Sequence, residues 1–151
     1  MLSVGTKIRD FSLPDADHNI HRLSDYLGQK VVIYFYPKDD TPGCTTQACA
    51  FRDAYDGFKE AGIKVIGISK DSPESHKKFI EKYQLPFLLL SDENVEVAEY
   101  FQVWVEKSMY GKKYMGMSRS TFILDEHGVI THVFEKASPS ENASEILNAL
   151  K

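Results

Sequence analysis

The chain has 151 residues, 42% hydrophobic and 26% charged, with a formal charge of −4. These figures describe one globular domain, 1–151, large enough to bury a core. The acidic balance argues against nucleic acid or an anionic membrane surface as partner, since both call for a basic face.

The N-terminal stretch "MLSVGTKIRDFSLPD" has no apolar run of the length a signal peptide or membrane helix needs. Next, "DFSLPDADHNIHRL" reads as a short hairpin. "VVIYFY" (31–36) is continuous, β-branched and aromatic, the pattern of a strand covered on both faces. A helical pattern over 43–61 follows, then strand "KVIGIS" (64–69), a helix over 73–83, and the weaker strand "FLLLS" (87–91). A helix over 93–101 leads to a loop carrying Lys107, Lys112 and Lys113, which reads as a solvated segment. Met109, Met115 and Met117 sit in the same loop, downstream of Trp104, and read either as gap-filling packing or as an apolar collar near a site. "TFILDEHGVITHVFE" reads as a hairpin whose turn is "DEHG", and a last helix lies near 140–150. Strands alternating with helices imply an α/β fold, a central mixed sheet flanked by helices. No repeat or low-complexity segment interrupts it.

The only two cysteines are Cys44 and Cys49, five positions apart in "PKDDTPGCTTQAC". Two are too few for a disulfide framework, so a cytoplasmic setting with reduced thiols is the default. Thr41-Pro42 is a helix start, with Thr41 as the cap and Pro42 at the first helical position. Cys44 then lies in the first turn, where free backbone N–H groups favour an anion such as a thiolate. Cys44, Ala48, Phe51, Tyr55 and Phe58 form one apolar stripe, so Cys44 faces the body of the protein. Cys49 is rotated about 140° away, onto the side of Asp53, Asp56 and Glu60.

In an intact helix, Cα atoms five residues apart are roughly 8 to 9 Å from each other. A disulfide rarely spans more than about 7 Å, so these sulfurs bond only if the helix opens, and a static staple is a poor reading. A metal site needs about four ligands, and the five histidines, His18, His21, His76, His127 and His132, show no ligand spacing. They read as structural or surface residues. Asp39 and Asp40 oppose a thiolate, so a cation from elsewhere would help. Arg119, just before "TFILD", is the candidate, because that strand can neighbour "VVIYFY".

Pro37, Thr41 and Cys44 spell P-x-x-x-T-x-x-C, and with Arg119 ahead of a strand the chain resembles the peroxiredoxins over essentially its whole length. "CTTQAC" resembles the subgroup called bacterioferritin comigratory protein, or PrxQ. The resemblance implies a thioredoxin-like fold and a thiol-dependent peroxidase acting on hydrogen peroxide and organic hydroperoxides. It makes Cys44 the peroxidatic nucleophile and Cys49 the resolving cysteine of an intramolecular disulfide. It gives Thr41 the orienting of peroxide, Arg119 the stabilising of thiolate and developing charge, and Pro37 the shielding of the sulfur. It also implies thioredoxin or a similar dithiol as reductant, with no organic cofactor and no metal. The C-terminal "HVFEKASPSENASEILNALK" has no cysteine, which permits a monomer and leaves room for a noncovalent dimer. Two other readings stay open on the residues alone. One is a hydrolase with a histidine-activated Cys44; the other is a redox sensor that uses the same disulfide to change its surface.

Overall fold

The central strand is the apolar run around Val31–Tyr36, and its alternation sorts the core into two layers. In a computed structural model describing residues 1–150, β3 (Lys30–Phe35) follows the small hairpin β1 (Ser12–Pro14) and β2 (Ile20–Arg22). Val31, Ile33 and Phe35 face one layer with Ile66, Phe101 and Phe122. Val32, Tyr34 and Tyr36 face the other with Phe51, Phe79 and Ile146. The period of two along a strand produces this division, and burial on both faces explains the absence of charged residues from Val31–Tyr36.

β4 (Ile63–Ser69) and β5 (Leu88–Ser91) run parallel to β3, while β8 (Ser120–Leu124) and β9 (Ile130–Phe134) complete the other side antiparallel. The order β5-β4-β3-β8-β9 is the expected mixed sheet. The β8–β9 turn forms at "DEHG", where the Asp125 carboxylate accepts the backbone N–H of His127 and of Val129.

α3 (Pro73–Tyr83) has the expected bounds, capped by the Ser72 hydroxyl accepting from the Ser75 N–H. α5 (Asn142–Ala149) closes the chain. The pattern over 43–61 divides into α1 (Pro42–Asp53) and α2 (Tyr55–Glu60), because Ala54 leaves helical geometry at ψ 3°. Beyond the break, Phe58 still reaches the core beside Phe51, and Gly57 lets Leu147 of α5 lie close. α4 (Glu96–Tyr100) is shorter than expected, since Val95 is left-handed and the buried Asp92 carboxylate accepts the N–H groups of Val97 and Ala98.

The loop expected before Arg119 is instead a hairpin, β6 (Trp104–Met109) and β7 (Lys112–Met117). Its two-residue turn, Tyr110-Gly111, has positive φ at both positions, the geometry that suits twisted strands. Met117 is buried in the core, whereas Met109 and Met115 are exposed on the hairpin, so the three methionines do not form a collar. Lys107 is not solvated either: it is half-buried and its ammonium donates to the Met117 carbonyl.

Candidate active site

The site forms where β3 ends and α1 begins. The β3–β8 register pairs Phe35 with Ser120, so Arg119 stands directly across the sheet from the loop that leaves β3. Pro37 begins that loop and is half-buried. The loop ends at Asp40 in the left-handed region, and Thr41 follows in extended geometry at the N-cap position. The Thr41 hydroxyl does not cap, contrary to the sequence expectation; it donates to the Lys38 carbonyl at 2.8 Å. The N–H groups of Gly43 and Cys44, in the first turn, are therefore not taken up by the cap.

Cys44 is 2% exposed and faces the core beneath α1, whereas Cys49 is half-buried; both are free thiols. Cys49 is less exposed than its helix-wheel neighbours Asp53, Asp56 and Glu60. The Arg119 guanidinium reaches Cys44 from the residue just before β8, with Nη2 3.5 Å from Sγ and Nη1 donating to Gln47 Oε1 at 2.8 Å. No carboxylate pairs with Arg119 among the described residues. Gly43 makes the approach feasible, because a Cβ there would lie 2.9 Å from Nη2. Arg119, Lys107 and Val105 also line an opening beside the guanidinium.

Gln47 is the residue that sequence reasoning misses. It is fully buried on α1, and its Nε2 donates to Asn142 Oδ1 of α5 at 3.3 Å. The same oxygen accepts from the Thr121 hydroxyl at 2.7 Å. The only sequence signal is a glutamine three residues past Cys44, on the helix face that turns inward.

The two acids expected to oppose a thiolate are neutralised locally. Asp40 accepts from Lys82 Nζ and from the Tyr83 hydroxyl, each at 2.8 Å, and these donors hold its carboxyl below the usual range. Asp39 is buried and accepts from His76 Nδ1 at 2.7 Å, from Ser75 and from Tyr36. His76 Nε2 meets the Leu90 carbonyl at 3.0 Å, and a carbonyl only accepts, so that nitrogen carries a proton. A second proton lies between Nδ1 and the carboxylate, which leaves the Asp39–His76 pair neutral as a unit. Asp39, Asp71 and His76 gather ligand-type atoms within 4.8 Å of one another. Each is already engaged, Asp71 by Ser69 and the Asp39 N–H, so the trio is a closed hydrogen-bond cluster rather than an open ligand set. None of the histidines is hydrogen-bonded to either cysteine among the described residues, which leaves a histidine-activated hydrolase without its base.

Comparison with known proteins gives the chain's relatives. A family model described as the AhpC/TSA family matches residues 4–133. The chain is 49% identical over 150 residues to Peroxiredoxin Bcp of Escherichia coli, covering 99% of this chain and 96% of that one. It is 46% identical over 150 residues to Peroxiredoxin Bcp of Bacillus subtilis, with the same coverage. A cysteine variant of PrxQ from Xylella fastidiosa superposes with a TM-score of 0.94 at 32% identity, over 99% and 96% of the two chains. The bacterioferritin comigratory protein of Xanthomonas campestris, studied for alkyl peroxide reduction, gives 0.88 at 38% identity, over 93% and 89%.

Proposed function

The chain belongs to the AhpC/TSA family as a peroxiredoxin of the Bcp and PrxQ kind, with their thioredoxin-like fold, and on that premise we propose that Cys44 is its peroxidatic cysteine and Cys49 its resolving one. The observation that carries the assignment is a buried thiol in the first turn of α1 with an acid-free guanidinium against its sulfur.

The Cys44 thiolate attacks one oxygen of a hydroperoxide. The S–O bond forms as the O–O bond breaks, and the electron pair leaves on the distal oxygen, which takes a proton and departs as water or an alcohol. Sulfur is oxidised by two electrons to a sulfenic acid. Arg119 and the Gly43 and Cys44 N–H groups face the charge that develops across the breaking bond. Because the Thr41 hydroxyl has committed its proton to Lys38, it meets the peroxide as an acceptor and holds the O–H of the incoming molecule. Pro37 covers the rim at the head of the loop.

Cys49 then displaces the sulfenic oxygen as water and forms the Cys44–Cys49 disulfide, which requires α1 to open. Peroxiredoxins take peroxides and thioredoxin-type reductants. For this chain the reading extends to hydrogen peroxide and organic hydroperoxides, with thioredoxin restoring both thiols in the cytoplasm, in a monomer or noncovalent dimer. No helix is long and apolar enough to cross a membrane among the described residues.

The test mixes reduced protein with peroxide, thioredoxin, thioredoxin reductase and NADPH. Sustained NADPH oxidation is expected, lost in Cys44→Ser; Cys49→Ser consumes one equivalent of peroxide and then stalls. Normal turnover by the Cys49 variant would remove its resolving role. No turnover by the wild-type protein would leave a redox sensor in place of a thioredoxin-dependent peroxidase.

A further inference from the structure

We propose that Asn142 is a latch on α1: its side-chain oxygen holds Gln47 in the closed helix and so sets how readily the helix opens for disulfide formation. The inference rests on the peroxidase reading above and adds a residue of α5, which lies beyond the segment 4–133 matched by the family model.

The side chains form a continuous chain of contacts. Thr121 of β8 donates to Asn142, Gln47 donates to the same oxygen, and Arg119 donates to Gln47 while touching Cys44. Thr121, Asn142 and Gln47 are all fully buried. The orientation of the Gln47 amide is forced at both ends. Reversing it would set its NH2 against the Arg119 N–H and its oxygen against the Asn142 oxygen. Asn142 is present for its oxygen alone, since its Nδ2 has no hydrogen-bond partner among the described residues. A buried amide that leaves its donor idle carries a desolvation cost, and the two donors on its oxygen are the offsetting gain.

Position supplies the consequence. Gln47 lies between Cys44 and Cys49, so the opening that brings the sulfurs within bonding range withdraws it from its buried place. Asn142 stays with α5, held by its N–H on the Ser138 carbonyl, and Thr121 stays in the sheet. The Gln47–Asn142 bond therefore exists only in the closed state. Removing its acceptor strands the Gln47 donor in the closed state, while in the open state that donor is hydrated.

The experiment prepares the sulfenic acid with one equivalent of hydrogen peroxide, quenches with a thiol-alkylating reagent, and follows the disulfide by mass. Asn142→Ala is expected to speed disulfide formation about tenfold, the effect of one unpaired buried donor in the closed state. The peroxide concentration that drives half the protein to sulfinic acid should rise by a similar factor, because the same sulfenic acid partitions between the two fates. Gln47→Met removes the donor that Asn142→Ala would strand, so Asn142→Ala should add nothing in that background. Ile146→Val, a fully buried change elsewhere on α5, should leave the step unchanged. An unchanged rate in Asn142→Ala, additive effects in the double variant, or equal acceleration in Ile146→Val would overturn the latch. If the wild-type protein forms no Cys44–Cys49 disulfide, the peroxidase reading itself fails and the latch fails with it.

Discussion

On one side of the α1 N-terminus, Asp39 shares a proton with His76 and fills its remaining capacity with Ser75 and Tyr36. On the other, the cation Arg119 is held by one neutral amide, Gln47, and ends on a sulfur. Both clusters are buried polar arrangements, yet the first is closed on itself and the second is left with an unpaired charge. The difference shows how a loop with two adjacent acids can sit beside a site that needs positive potential. α3 removes the acids from the electrostatics, and Arg119 then acts without opposition.

Breaking the closed cluster should give the largest effect, and on stability. His76→Leu leaves the Asp39 carboxylate buried without its proton partner, so a loss of about 3–5 kcal/mol is expected. Thermal unfolding measures this, and adding Asp39→Asn should recover part of it. The protein that remains folded should keep its peroxide rate. A specific loss of rate at unchanged stability would mean that the two clusters are not separate.

Arg119→Met should show the opposite signature. Removing the guanidinium that touches the sulfur is expected to slow the peroxide reaction about 10²- to 10³-fold, the scale of one preorganised donor at a developing charge. Unfolding should change by no more than about 1–2 kcal/mol, the cost of leaving the buried Gln47 Oε1 without its donor, because the Arg119 side chain is half-buried and pairs with no carboxylate among the described residues. A single-turnover stopped-flow measurement reads the rate; an unchanged value would remove Arg119 from the chemistry.

Gly43→Ala probes the same cluster more gently. The added Cβ would fall 2.9 Å from Nη2, so the guanidinium must shift by a few tenths of an ångström off Cys44. About a tenfold slower peroxide reaction is expected from that misplacement. Stability should hold or rise slightly, alanine being the better helix former. A normal rate would show that Arg119 tolerates displacement.

The sheet is legible in the sequence because its strands are continuous apolar runs, and α3 because Ser72-Pro73 marks its start. The β6–β7 hairpin is hidden by its exposed, lysine-rich strands, which carry no alternation; Tyr110-Gly111 is its one local sign. The place of Cys44 in the first turn of α1 can be read from spacing; the turn of the Thr41 hydroxyl away from the cap to the Lys38 carbonyl cannot. The partners of the site cannot, because they are created by packing. Gln47 meets Asn142 across 95 positions and Asp39 meets His76 across 37. Neither pairing leaves a pattern that periodicity could register.

Between the two clusters lies Tyr34, and it offers the smallest and most discriminating test. Its ring stacks on Phe51 at 4.6 Å between centroids, but its buried hydroxyl has no partner among the described residues. Burial pushes its pKa well above the ordinary value, so the group is a neutral phenol. Tyr34→Phe keeps the ring and deletes the idle oxygen. If the hydroxyl belongs to neither cluster, the variant should gain up to about 1 kcal/mol, a rise of roughly 2–4 °C in Tm, with the peroxide rate unchanged. If the rate falls instead, the hydroxyl serves the sulfur during the reaction, and the cluster around Cys44 extends through the sheet face to β3.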